Sequence, residues 1–185
     1  MIGAKKIAAL ITPPAPVWEP IGETPLVSSE FNFLKNFSRY SFVRIFLIGI
    51  TTGTDDTQVR IQFYVAGTVV TTAYRYGVIT TNSATGNGNV FNQTGTYIAL
   101  LDDTAGLALG NASTESFSGI VTIANPSDPV LWTYCTIEGA TIIPSGAVCN
   151  VRGSGILENA GAVDGIKVLG SSSLTGGKFV AYGML

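Results

Sequence analysis

The sequence predicts an all-β fold: a two-sheet β-sandwich or jelly roll entered by an extended N-terminal arm. Three observations predict it. The apolar residues recur with a period of two and nowhere form a capped 3.6-residue stripe, as strands rather than helices require. Gly, Pro, Asn and Asp punctuate the chain at short intervals, cutting it into about ten β-branched and aromatic segments of sandwich length. Finally, charged residues make up only 12% of the 185 residues, while 46% are hydrophobic. An ordinary soluble domain carries about 25% charge, which keeps its copies apart. Here the polar remainder is Ser, Thr and Gly, so much of the surface is expected to be covered by partner proteins.

Taken in order, residues 1–17 read as a docking arm. Ile7, Leu10 and Ile11 are its apolar contacts, and Pro13, Pro14 and Pro16 force an extended, polyproline-like path. The arm is expected to grip a neighbouring subunit or the body of its own domain, with Trp18 completing the contact. Residues 18–185 form the sandwich. Val59, Ile61, Phe63 and Val65 alternate with Arg60, Gln62 and Tyr64, the pattern of a half-buried strand. Residues 42–48 are more continuously apolar and read as a strand covered on both faces. Further strands are expected at 18–23, 27–33, 68–76, 96–101, 116–123, 130–138, 147–157, 165–169 and 178–182. Turn formers at Thr52–Asp56 and Ile142–Gly146 predict two hairpins. The second would set Cys135 almost opposite Cys149, and both read as buried thiols acting as small hydrophobes. Between them the strands leave one long polar stretch, Thr80–Gly95. It reads as a loop and as the candidate for external contact, through Asn82, Asn87, Asn89, Phe91 and Asn92.

Little in the sequence supports chemistry. It contains no histidine, which excludes a Ser-His-Asp triad, a Cys-His pair and a zinc-histidine site within this chain. Asp55–Asp56 and Asp102–Asp103 are adjacent acid pairs, but neither has the alternating acid spacing of a calcium loop. No nucleophile elbow or phosphate-binding glycine loop occurs. Ten basic against twelve acidic residues give a net charge of −2, the wrong balance for a nucleic-acid coat. The longest apolar stretch, residues 42–50, is broken by Arg44 and is far short of the ~20 residues of a membrane-spanning helix. Lys5 and Lys6 precede too short an apolar run for a signal peptide, so synthesis in a cytoplasm is expected. The expectation is a non-enzyme with no cofactor, no metal, no nucleic acid and no membrane.

Both ends of the chain resemble small β-sandwich structural proteins of tailed bacteriophages. Residues 18–24, Trp-Glu-Pro-Ile-Gly-Glu-Thr, resemble the usual entry strand of that family. Residues 162–183 resemble its ending, in which an apolar strand passes through a Ser/Gly turn into a last strand that closes Tyr-Gly-aliphatic. Between the ends only the strand rhythm is similar, and the Asn-Gly-Asp-rich turn expected after the Phe63 strand is missing. The resemblance implies a place on a virion, either as a trimeric capsid decoration (cement) protein or as a tail-fibre, receptor-binding domain. A fibre would normally set a long shaft before this domain, whereas a short arm on a charge-poor body suits a clamp on the capsid exterior. The expected partners are therefore the major capsid protein and further copies of this chain, as a homotrimer. The alternative is a tail-fibre domain recognising host surface glycan or protein through the Thr80–Gly95 stretch.

Overall fold

A computed structural model describes residues 17–25, 29–84, 88–101 and 107–185, with backbone alone at 88–92. Thirteen strands run in chain order: β1 (Trp18–Pro25), β2 (Glu30–Leu34), β3 (Phe42–Thr52), β4 (Val59–Val65), β5 (Thr68–Val69), β6 (Tyr74–Asn82), β7 (Gly88–Gly95), β8 (Ile98–Ala99), β9 (Phe117–Ala124), β10 (Thr133–Ile142), β11 (Val148–Leu157), β12 (Val163–Gly170) and β13 (Leu174–Met184). A single 3-10 turn, Phe37–Arg39, is the only helical element among the described residues. Eight strands form a large sheet in the order β1-β13-β3-β9-β10-β11-β6-β7, and β2-β12-β4-β5 form a small one, with β8 paired to β4. The fold is a two-sheet β-sandwich.

Alternation decides what lies between the sheets. Val43, Ile45 and Leu47 of β3 and Ile61 and Phe63 of β4 point inward and are fully buried. Phe33 of the small sheet stacks on Phe179 of the large one with ring centroids 4.5 Å apart, joining the two layers. Tyr74 ties them a second way: its hydroxyl accepts from Phe63 N at 2.7 Å and donates to Val70 O at 2.9 Å. Burial pushes that phenol well above its usual pKa, so it stays neutral and keeps both bonds.

Several expectations are corrected. Thr52–Asp56 is not a hairpin, because β3 and β4 lie in different sheets and the segment carries the chain from one to the other. A hydroxyl cluster pins this crossover: Thr57 Oγ1 lies 2.8 Å from Thr52 Oγ1 and 2.9 Å from Ser172 Oγ. The strand expected over 68–76 is cut in two, because Ala73 takes a left-handed φ of 64° where the chain changes sheets. The β10–β11 hairpin forms where Ile142–Gly146 predicts it, with Gly146 N donating to Ile143 O at 2.8 Å, but its strands pair about Ser145 rather than about Ile142. Cys135 therefore faces Gly155, and Cys149 faces Thr141. Both thiols are buried and unbonded to each other, and burial pushes that of Cys135 up to about 12. The polar stretch 80–95 is largely strand: β6 runs on to Asn82, and β7 pairs with it as the edge of the large sheet. A polar edge strand is a common defence against edge-to-edge aggregation, which explains why its sequence looks like a loop. The opposite edge, β1, carries Pro20 and Pro25, as only an edge strand allows.

Candidate docking face

The two outer faces of the sandwich differ in kind. On the small sheet the outward side chains satisfy one another. Lys167 Nζ meets Glu30 Oε2 at 2.7 Å, Tyr64 donates to Asn32 Oδ1 at 2.6 Å, and Asn32 Nδ2 donates to Glu30 Oε1 at 3.0 Å. Beside them Gln62 Nε2 donates to Thr96 O at 2.9 Å, and the Arg60 guanidinium lies 4.1 Å from the centre of the Tyr97 ring. This face is polar and closed on itself.

The outer face of the large sheet is mixed and open: exposed apolar and aromatic side chains stand in rows, with the more polar row Tyr182, Arg44, Thr122, Thr136 and Ser154 between them. Its register builds rows that run across the strands. One row places Trp18, Met184, Phe42, Ala124, Tyr134 and Ile156 side by side across six strands. A deeper row aligns Val180, Phe46 and Ile120 before reaching Glu138 and Arg152. The charges on this face largely answer each other: Arg152 lies 3.7 Å from Glu138, and Lys178 lies 3.6 Å from Glu23. Between the rows run shallow troughs. One, of about 440 Å³, is lined by Phe46, Ile48, Ile120 and Ala140 among others. A second, of about 290 Å³, is walled by Trp18, Arg44, Phe46 and Tyr182.

Strand β3 shows the discrepancy best. Its run of apolar residues predicts cover on both faces, yet only the inner one is covered in the single chain. Phe42 is 37% exposed and Ile48 45% exposed. The end of the sandwich where the chain enters at Val17 and leaves at Leu185 is more apolar still. There Val130, Leu131 and Trp132, at 75%, 55% and 45% exposure, stand out beside Tyr134. Sequence reasoning assigned these residues to a strand, but β10 begins only at Thr133. They form a loop held in place by Asp128, whose Oδ1 accepts from Val130 N at 2.8 Å and Leu131 N at 2.9 Å. Those two backbone bonds keep the Asp128 carboxyl below its usual pKa. The Ser127-Asp128-Pro129 run was the available signal for this turn.

The sequence-predicted contact residues are distributed unevenly. Ile7, Leu10, Ile11, Pro13, Pro14 and Asn87 lie outside the described residues. Trp18 belongs to the sheet rather than to an arm: it opens β1, half-buried, under the Arg44 guanidinium at 4.9 Å. Asn82 is buried, not exposed, because its Oδ1 accepts from Ala84 N at 2.7 Å in closing the β6 end. Asn89, Phe91 and Asn92 sit in the β6–β7 ladder opposite Thr80, Val78 and Gly77. Any contact made by Asn89, Phe91 or Asn92 would come from a paired strand.

Chemistry-bearing groups are not drawn together. Asp55 Oδ1 is occupied by Asn111 N at 2.9 Å, and Asp102 and Asp103 lie outside the described residues. No cluster of three or more potential metal ligands occurs among the described residues. Geometry thus defines an all-β sandwich with one polar, self-satisfied face and one face on which large apolar side chains stand exposed. No protein family, curated protein or solved structure matches the chain.

Proposed function

We propose that this chain is a virion structural protein: a capsid decoration protein that stabilises a phage head by bridging neighbouring capsid subunits from the outside. The observation that carries the reading is the open outer face of the large sheet with its exposed apolar rows, centred on a strand whose sequence is that of a strand covered on both sides. Such a face gains roughly 25 cal/mol for each Å² taken from water, before the entropic costs of association. Of the residues that resemble the phage family, those of β1 and β13 are antiparallel neighbours on this sheet, and those of β12 lie in the small one. The mechanism is associative, with no reaction step. In a homotrimer, seating one copy raises the effective concentration of the other two, so modest contacts add to a long residence.

Gold-labelled antibody against the purified chain, applied to intact particles, tests the placement. Label spread over the shell is the expected result. Label confined to the tail would overturn the capsid reading in favour of the receptor-binding one, in which the β6–β7 hairpin makes the contact. Purified protein should also co-sediment with shells that lack it, and no co-sedimentation would reject the decoration role.

A further inference from the structure

Sixteen residues precede Val17 in the sequence, and the last four are Pro13-Pro14-Ala15-Pro16. Where they join the sandwich, the large sheet carries the trough walled by Trp18, Arg44, Phe46 and Tyr182, of about 290 Å³. Three of these walls are aromatic, and Phe46 and Tyr182 meet edge to face at 5.8 Å. The fourth is a guanidinium whose Nε is buried and, among the described residues, without a hydrogen-bond partner. A guanidinium carries donors and no acceptor, so this wall suits a partner that presents acceptors. Flat aromatic walls ask in addition for a rigid apolar body.

A polyproline segment meets both demands. Its rings stack on aromatic side chains, and aromatic-lined grooves are a recurring receptor for such segments. Three of the four residues have no N–H, so the segment presents almost nothing but carbonyls. We propose that the trough receives the Pro13–Pro16 segment of a second copy of this chain, its rings against the aromatic walls and its carbonyls toward the Arg44 guanidinium. The proposal rests on the reading of the chain as an assembly subunit, and it names what the Pro13–Pro16 segment of each subunit grips. The connection between segment and sheet points to a second copy over the same molecule. Trp18 is itself a wall of the trough, and only Val17 separates it from Pro16. Folding back would require a full reversal at a β-branched residue, in a stretch with no Gly, Asn or Asp to make the turn. Carried forward in an extended path, the four residues reach about 12 Å beyond the sheet. Donation in one direction around copies is a heterologous contact, which closes into a ring when the rotation allows.

Sedimentation velocity on the full chain over a wide concentration range tests this. The wild type is expected to self-associate. Two variants, P13S/P14S/P16S with an intact trough and R44A/Y182A with an intact segment, should each associate at least tenfold more weakly. Far-UV circular dichroism checks that both remain folded. Mixing the two should restore mixed dimers, because one supplies the segment and the other the trough. Undiminished self-association in the proline variant would overturn the proposal while leaving the assembly reading to be judged by shell binding. A wild type that stays monomeric, with a Trp18 fluorescence (read in a W132F background) that responds to the proline changes, would show docking within one molecule and overturn it equally.

Discussion

Phe117 lies over two glycines that face each other across β9 and β10, Gly119 and Gly139. A Cβ on Gly139 would stand 2.6 Å from the Phe117 ring, and one on Gly119 would stand 2.7 Å from it. Neither glycine is needed for an unusual backbone angle here. They are needed because a fully packed ring occupies the space where side chains would be. Overpacking a well-filled core typically costs about 1–3 kcal/mol. Gly139→Ala should lower stability by about that much in urea unfolding, and a smaller residue at 117 should relieve part of the loss. In a double-mutant cycle with Phe117→Leu, the two changes should cost less together than their sum. Additive costs would mean that the ring is not what excludes the methyl group.

Among the elements, β2 and β12 are joined by the outer polar network of the small sheet, and that network has a pH signature. Hydrogen bonding from Asn32, and then from Lys167, holds the Glu30 carboxyl below its ordinary value of 4.5. A carboxyl with a lowered pKa in the folded state contributes its full stabilisation above the unfolded value and loses it as pH falls through the folded one. The wild type should therefore exceed Glu30→Gln in unfolding midpoint by a constant margin above pH 5.5, and that margin should shrink as pH drops below 4.5. Parallel curves down to pH 3 would show that the ion pair contributes nothing. At this same scale the sequence was legible where a strand alternates inward apolar with outward polar residues, as β10 does and as β4 does even though its outward Gln62 and Tyr64 are buried. It was not legible where the environment departs from that pattern. β7 is a polar edge and reads as loop, and the break at Ala73 comes from a non-glycine residue at positive φ that nothing local announces. The β10–β11 turn falls at its expected residues, and pairing about Ser145 rather than Ile142 was enough to separate Cys135 from Cys149. The docking face was half legible: low charge and the apolar run of β3 pointed to a covered surface. The Val130–Trp132 projection was hidden because exposed and buried apolar residues look alike in sequence.

For the molecule as a whole, the asymmetry between its faces makes stability and association separable. The small-sheet face satisfies its own polar groups, whereas the large-sheet face and the end beside it leave large apolar side chains exposed. Leu131 and Trp132 sit at that end on a loop fastened from beneath: Asp128 holds its backbone, and Val163 N donates to Pro126 O at 2.7 Å. Interface energy concentrates in a few large, well-held side chains, and a fixed loop bearing Trp beside Tyr134 is such a cluster. Half-exposed side chains contribute little to the core, so the double change Leu131→Ser and Trp132→Ser should shift folding stability by only about 0.5 kcal/mol per site. Under the proposed decoration role, shell binding should weaken by at least tenfold in the same variant, and the protein's limiting solubility should rise, since an exposed apolar projection has been removed. A calorimetric melt run beside the sedimentation assay reads both quantities on one preparation. Unchanged binding with an unchanged melt would place the contact elsewhere on the large sheet, and a collapsed melt would show that the loop supports the fold instead of projecting from it.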